Sequence, residues 1–528
     1  KENYGKHIYY IHLKKCPSLI YFLVLSNFIH RSDSVPVHRF LQRIEPSERE
    51  SWLTKLMDHI FEQNPGNPHV TVESIQLAIK ECDRPDTILQ DSETVFSVID
   101  TFRVPKVVYD PGKKKFVLRK VEPDLFPDAS HKSTIFRHRL ELLWHRTQRH
   151  ELFQPLKFGE ANTERYELTP IEYLLSESKI GHVYVMGLLS QLTEGQYYLE
   201  DTGGSIKIDL TKAGLIMEGC IVIANGTYED GVLRIQDIGF PPAEPSNNSR
   251  APFGDENTFG GVHPTSLKNS EKLKIHEESR TDAMIIFVSE FWVDNNRVLE
   301  KFQMMLDGYN DFPPVAFVLC GDFLSFPPNV TSAQKMKEGF TRLGEIIQRF
   351  PDIKKNSKFV LVPGPYDLGS PKILPRGPLP HSLLEDFIKR VPDTILASNP
   401  CRIQYCTKEI VVLREDMLTK LCRNTLKFPS DGKIYEHYAK SIVCQSHLSP
   451  LSLPVIPVYW KHDHALQIFP TPDLIVVADQ FESYTTSYED CQVINPGTFA
   501  KNDFSFKVYV PSSDAIEDSA IPEDEENM

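Results

Sequence analysis

Apolar residues between positions 47 and 102 recur at steps of three and four: Trp52, Leu53, Leu56, Met57, Ile60 and Phe61, then Val72, Ile75 and Ile79 past a break at residues 64–68, and finally Val95, Val98, Ile99 and Phe102. This spacing puts one apolar face on a helix. It predicts a small helical domain over residues 36–105. A different pattern follows. Val107, Val108 and Tyr109, then Asp110-Pro111-Gly112, then Phe116, Val117 and Leu118 predict a hairpin. Residues 133–150 predict one helix with Ser133 at its start. Together, residues 106–165 read as a hairpin and a helical linker.

Residues 180–240 alternate with period two. Five short runs, at 182–189, 196–200, 205–210, 220–228 and 232–240, are separated by Glu194-Gly195, Thr202-Gly203-Gly204 and Asp230-Gly231. Five short strands with glycine-bearing turns predict an OB-type barrel, placed at 166–265. Residues 241–269, rich in Pro, Gly, Asn and Ser, read as a linker or a loop pinned across a surface. The pattern then turns α/β over 266–512. Continuous apolar runs at 284–288, 315–319, 359–362, 474–477 and 492–494 alternate with helical stretches such as 296–305 and 332–350. Such runs fit strands covered on both faces. Residues 402–406 and 410–413 predict a hairpin in that sheet, and 505–510 a last strand. From Asp514 onward there are seven acidic and no basic residues, so 513–528 is expected to be a disordered acidic tail.

Length and charge narrow the function. A chain of 528 residues holds roughly three domains. Its formal net charge is −14, whereas a protein gripping bare nucleic acid over a wide surface is usually basic. The helix at 133–150 is locally basic through Arg137, Arg139, Arg146 and Arg149, with His138, His145 and His150. It reads as a phosphate-contacting surface or as a solvated or packing arm, and the lack of an aromatic stacking set favours the second. In the barrel, Tyr197 and Tyr198 are candidate stacking residues. Lys207, Lys212 and Arg234 are outnumbered there by Asp201, Asp209, Glu218, Glu229, Asp230 and Asp237. Nine cysteines without any C-x-x-C pair argue against a zinc module or a disulfide framework and for reduced thiols. Residues 19–29 form an apolar run after Lys14 and Lys15. The run is short of the ~20 residues that span a bilayer and lacks a small-x-small cleavage site. Residues 1–35 are read as a doubtful start or extension.

In α/β sheets, chemistry gathers at the carboxyl ends of the strands. The loops there carry Ser289-Glu290-Phe291-Trp292, Gly321-Asp322, Gly364-Pro365-Tyr366-Asp367, Ser446-His447, Ala478-Asp479-Gln480-Phe481 and Asn495-Pro496-Gly497. Their order resembles the calcineurin-like metallophosphoesterases, whose D-x-H, G-D-x-x-D, G-N-H-D/E, lone H and G-H-x-H motifs hold two metal ions. Set against that pattern, the site is degenerate. Glu290, Asp322, His447 and Asp479 retain side chains able to ligate. Trp292, Pro365 and Phe481 stand where ligands belong, and Tyr366 replaces the catalytic histidine. A single ion held by Glu290, Asp322, His447 and Asp479 is the remaining metal alternative, and partial ligand sets lose geometric control.

A helical front piece, an OB-type barrel and a degenerate phosphoesterase domain together resemble the B-subunits of the replicative B-family DNA polymerases, and among them those of DNA polymerase epsilon. The segments that carry the resemblance are Arg146-Thr-Gln-Arg-His-Glu-Leu-Phe153, Phe240-Pro-Pro-Ala-Glu-Pro245, Val362-Pro-Gly-Pro365, Asn399-Pro-Cys-Arg-Ile-Gln-Tyr405, Pro457-Val-Tyr-Trp460 and Pro472-Asp-Leu-Ile-Val-Val-Ala-Asp479. They spread over residues 47–511. The resemblance implies a multidomain fold with an N-terminal helical domain, an OB-type β-barrel and an α/β calcineurin-like phosphoesterase sandwich. It implies no catalytic residues, metal or cofactor. It also implies a nuclear scaffold partnered by the cysteine-rich C-terminal region of the catalytic subunit of DNA polymerase epsilon, by replicative helicase components and, indirectly, by small histone-fold subunits. The competing readings are an active phosphoesterase or nuclease with an altered metal site, and a single-strand DNA-binding OB protein.

Overall fold

The computed structural model describes residues 95–122, 124–154, 165–210, 217–369, 371–426, 429 and 431–522. The chain divides into two compact units, Lys1–Thr94 and Val95–Met528. The helical expectation for residues 36–94 lies outside the described residues.

The second unit opens with a strand where helical spacing had predicted a helix. Phe96–Asp100 (β1) pairs antiparallel with a strand some 300 residues later. The spacing of Val95, Val98, Ile99 and Phe102 is ambiguous over so short a run. The structure resolves it because both faces of the segment meet apolar layers. Phe96 and Val98 face one core cluster and Ile99 another. The predicted hairpin follows as β2 (Lys106–Asp110) and β3 (Lys115–Arg119), with Asp110 Oδ1 accepting from the Gly112 and Lys113 amides in the turn. The linker helix runs over Ser130–Thr147. It begins at Ser130, three residues before Ser133, and Asp128, just ahead of the helix, accepts the Ser130 amide at 2.9 Å.

Five strands then close a barrel: β4 (Lys179–Thr193), β5 (Gln196–Glu200), β6 (Ser205–Asp209), β7 (Ile221–Glu229) and β8 (Val232–Gly239), in the order β4-β5-β6-β8-β7. Neighbours are antiparallel except β6 and β8, which run parallel. Alternate side chains, including Val185, Leu189, Leu199, Ile206, Val222 and Leu233, fill its interior.

The remaining strands build two six-stranded sheets. One collects β9 (Ile285–Ser289), β10 (Ala316–Cys320), β11 (Lys358–Val362) and β12 (Thr394–Leu396). The other takes β13 (Cys401–Tyr405), β14 (Lys408–Arg414), β15 (Leu474–Ala478), β16 (Tyr484–Tyr488) and β17 (Cys491–Asn495), with β1 at its edge. The first is completed by β18 (Ser505–Val510) and β19 (Ala515–Ala520). Ile285, Phe287, Val318 and Val360 from one sheet meet Ile403, Ile410, Val412 and Val476 from the other in a shared core, so the sheets face each other. The outer face of the first sheet packs on the helices Asn296–Gly308, Ser332–Ile347 and His381–Arg390 through Phe302, Phe340 and Phe387. The outer face of the second packs on Met417–Arg423 and Ile434–Gln445, and that cluster runs without a break into the barrel interior.

Barrel and sandwich are thus fused by one apolar core. A polar pin adds register: the Gln445 side-chain amide accepts from the Ile221 N–H at 2.8 Å and donates to its carbonyl at 2.7 Å. The segment after the barrel is also pinned, since the buried Arg402 guanidinium donates to the Thr258 and Phe259 carbonyls.

The acidic tail is ordered further than its composition predicted. Residues 515–520 form β19, paired along its whole length with β18. Pairing suits this segment because its charges find partners. Asp514 accepts from Lys408 and from the Tyr509 hydroxyl, and Asp518 pairs with Lys507.

Candidate functional site

Three parallel strands, β9, β10 and β11, end at the loops that carry Glu290, Gly321-Asp322 and Gly364-Pro365-Tyr366-Asp367. The other sheet contributes Arg414, the last residue of β14, and Asp479, just past β15. These loops approach closely. A Cβ on Gly321 would lie 1.9 Å from Asp367 Oδ2, and one on Gly364 would lie 2.2 Å from Asp322 Oδ1. Only glycine fits either position.

The guanidinium of Arg414 fills the centre of this arrangement, fully buried. Its Nη2 donates to Glu290 Oε1 at 2.8 Å and lies 3.5 Å from Asp322 Oδ2. Its Nη1 donates to Asp416 Oδ1 at 2.8 Å and to the Ala478 carbonyl at 3.2 Å, and its Nε donates to the Gly321 carbonyl. The planar fork therefore ties the carboxyl ends of β9 and β10 to those of β14 and β15. The Arg414 backbone is fixed as well, by Asn399, which accepts from its N–H and donates to its carbonyl. Burial alone would disfavour the charged form, but Asp416, Asp322 and Glu290 outweigh it and hold the guanidinium charged well beyond its ordinary range.

The acids around it answer to the same balance. Burial raises the Asp322 carboxyl, against the pull of Arg414 and of the Tyr366 N–H that it accepts at 2.7 Å. Asp367 is pushed up to about 7 by burial and by the charge of Asp322, although the Gly364 and Phe323 amides donate to it at 2.8 Å each. Asp479 is pushed up to about 6 by burial. It is a helix cap: its Oδ2 accepts from Met417 N at 2.6 Å and Leu418 N at 2.8 Å, at the start of the helix Met417–Arg423.

The remaining predicted positions do other work. Pro365 is buried in its loop, and Tyr366 projects outward with Lys372 Nζ 3.6 Å from its ring centre. Trp292 is half-buried with Lys501 Nζ 5.2 Å from its ring, and Lys501 also lies 3.6 Å from Glu290. Phe481 packs against the core shared with the barrel. His447 is fully buried, but its partners form a separate set. Its Nδ1 accepts from Ser449 N at 3.0 Å and its Nε2 lies 3.4 Å from Asp463 Oδ1. The structure thus gathers Glu290, Asp322 and Asp479 near Arg414 and places His447 in another cluster. Among the described residues no group of three or more His, Cys, Asp or Glu is arranged to hold a metal ion. The donor set does not fit one either, because the carboxylates already surround a fixed cation.

Sequence reasoning passed over Arg414. The signal was there: Arg414-Glu415-Asp416 puts three charges directly after the apolar run Ile410-Val411-Val412-Leu413, where charges are buried only in pairs. Glu415 shows the same rule. Arg376 and Lys420 outweigh its burial and hold its carboxyl down at about 2.

The basic helix resolves into a packing arm. Arg139 makes a two-pronged ion pair with Asp463, at 3.0 and 2.5 Å. Arg146 is fully buried and donates to Ser446 Oγ and to the Val443, Cys444 and Pro241 carbonyls. Arg149 pairs with Glu244. His138 bonds the Val107 carbonyl at 2.7 Å through Nε2 and Gln467 at 3.0 Å through Nδ1. His145 stacks on Tyr109. The helix spends its charge joining hairpin, barrel and sandwich.

With this geometry, comparison with known proteins is decisive. Residues 285–486 match the family of the DNA polymerase alpha/epsilon B-subunit, and residues 129–242 match the DNA polymerase epsilon subunit 2-like OB-fold domain. DNA polymerase epsilon subunit 2 of Homo sapiens is 43% identical over 494 residues, covering 91% of this chain and 93% of the human protein. The chain belongs to the DNA polymerase epsilon subunit 2 family. The Drosophila melanogaster member is 40% identical over 511 residues, covering 95% of this chain and 96% of its own length. A solved archaeal phosphodiesterase covers 45% of this chain and 98% of its own, at TM-score 0.26 and 12% identity, too distant to bear on function. Membership of the epsilon subunit 2 family accounts for the barrel and the two-sheet domain in one chain.

Two outcomes follow from the electrostatics. Arg414→Met leaves Glu290 and Asp322 buried without their cation, and breaking such a pair costs about 3–5 kcal/mol. Chemical denaturation of the variant is expected to show a loss of that order, and Arg414→Lys, which lacks the planar fork, is expected to recover only part of it. His138 and His464 are held down at about 4, chiefly by burial, against an ordinary value of 6.5. Each is buried neutral, so its contribution is intact above pH 6.5 and is lost as pH falls toward 4, on the order of 3 kcal/mol per group. Denaturation midpoints measured from pH 7 to 4 are expected to fall, and less steeply in a His138→Gln, His464→Gln double variant.

Proposed function

We propose that this chain is a non-catalytic accessory subunit of the DNA polymerase epsilon complex, built on a calcineurin-like phosphoesterase sandwich whose metal cleft is closed by its own arginine. The observation that carries the reading is the position of Arg414. A two-metal phosphoesterase needs a pair of ions about 3.5–4 Å apart to clamp the phosphate and activate a water. Here the carboxylates at the strand ends face a side-chain cation already bonded to Glu290, Asp416 and two backbone carbonyls. A guanidinium neither lowers the pKa of a bound water nor leaves a coordination position open. Trp292, Pro365 and Phe481 supply no ligands in its place.

What the fold offers instead is a rigid composite body. One apolar core joins barrel and sandwich, and the arm helix locks them through the buried Arg139–Asp463 ion pair and the hydrogen bonds of the buried Arg146. This supports a scaffold role: receiving the cysteine-rich C-terminal region of the catalytic subunit, and helping join the polymerase to replicative helicase components in the nucleus, with the small histone-fold subunits held indirectly. The arm helix, whose arginines are largely consumed internally, and the acid-rich barrel give little support to a single-strand binding role.

The test is co-expression with the cysteine-rich C-terminal region of the catalytic subunit. The expected result is stoichiometric co-elution and a higher melting temperature than that of the lone chain. The same preparation is expected not to turn over a chromogenic phosphodiester with Mn²⁺, Mg²⁺ or Zn²⁺. A monomeric chain of unchanged stability that ignores that region, or turnover abolished by Asp322→Ala, overturns the reading.

A further inference from the structure

The strand β19 is the outermost strand of its sheet: β18 pairs with it on one side, and no strand among the described residues pairs with it on the other. The ladder shows which of its backbone groups are free. Ile521 N donates to the Phe504 carbonyl, and the same register continues through Phe506↔Ser519 and Val508↔Glu517. Hydrogen-bonded pairs alternate with non-bonded ones in an antiparallel ladder. The N–H and C=O groups of Ile516, Asp518 and Ala520 therefore point away from β18, along the open edge.

Sheet edges are usually blunted by charged side chains, lysine above all, by a proline, a bulge or shortness; the only charges on β19 are acidic, which repel a second acidic strand but not a basic one. β12, at the opposite edge, has three residues. β19 has six, in unbroken register, with no proline or lysine among them. Its exposed side chains include Glu517 and Asp518. These are consecutive, so they lie on opposite faces of the strand. Residues 514–528 hold seven acidic residues and no basic one.

We propose that β19 accepts, as an added strand, an extended lysine- or arginine-rich segment of a partner polypeptide. The edge supplies the backbone hydrogen bonds of strand addition, and the charges choose the occupant. Two consecutive basic residues in the incoming strand place one cation on each face, one beside Glu517 and one beside Asp518, which Lys507 meets from β18 but which stays largely exposed. A second copy of this chain is the disfavoured occupant. Antiparallel self-pairing sets Glu517 and Asp518 against the same acids, and like charges directly opposite destabilise a pair. This inference goes beyond the accessory-subunit reading and does not depend on it.

The experiment uses the whole chain and a fluorescent peptide of roughly ten residues with a central Lys-Arg pair flanked by Thr and Val, long enough for one added strand. Its companion carries N-methyl groups on alternate amides. The peptide is expected to bind saturably and to slow hydrogen exchange at Ile516, Asp518 and Ala520, whereas the N-methylated form does neither. Ala520→Pro removes one outward N–H while leaving the inward ladder, and is expected to weaken binding about tenfold. Glu517→Lys, which leaves the backbone untouched, is expected to weaken it as well. Equal binding by the N-methylated peptide, unchanged affinity in both variants, absence of exchange protection on β19, or self-association of the chain through this edge overturns the proposal.

Discussion

One buried guanidinium organises the end of the sandwich where chemistry would be expected. Carboxyl ends of parallel strands concentrate loops and acidic side chains, and acids crowded there repel one another unless a cation stands among them. In this chain the cation is covalently part of the fold. Arg414 reaches from the second sheet to Glu290 and Gly321 on the first and to Asp416 and Ala478 on its own side. A bound metal dissociates and leaves exchangeable positions. An arginine in the same place is permanent and saturated by its five N–H donors. The loop glycines and the capping role of Asp479 follow from the close approach this permits.

The same economy governs the rest of the interior. Arg139, Arg146, Arg376 and Arg402 are all buried, and each is matched to a carboxylate or to backbone carbonyls. Several of these bonds span elements far apart in sequence, such as Arg139 to Asp463 and Arg146 to the helix Ile434–Gln445. Hydrophobic burial supplies most of the driving force for packing barrel against sandwich, while the ion pairs specify the orientation in which they meet. An accessory subunit that presents surfaces from two domains needs that fixed relation, since a partner contacting both binds best to a preorganised face.

Much of this was legible along the chain. Glycine-bearing turns between alternating runs marked the barrel strands to within a few residues, and continuous apolar runs marked the strands of the sandwich. That Trp292, Pro365 and Phe481 offer no side-chain atom suited to a metal was visible from residue type alone. What was not legible depended on tertiary context. Phe96–Asp100 carries spacing compatible with a helix, and only the apolar layers on both of its faces make it a strand. Residues 515–520 are too acidic to suggest a strand until Lys408 and Lys507 are seen beside them. His447 stood in the right order for the cleft, yet its side chain joins Asp463 and the arm helix. Arg414 lay outside the motif pattern, because motif comparison asks which carboxylates and imidazoles are present, not which cation they face.

The central claim is that Arg414 and the acids around it act as one electrostatic unit. A double-mutant cycle measures this most directly, with folding free energies from chemical denaturation of the wild type, Arg414→Met, Asp322→Asn and the double variant. Residues in one ion-pair network couple by about 0.5–3 kcal/mol, whereas independent sites add to within about 0.5 kcal/mol. The account predicts a double variant less destabilised than the sum of the single ones, by an amount in the upper part of that range. Additive losses would contradict it.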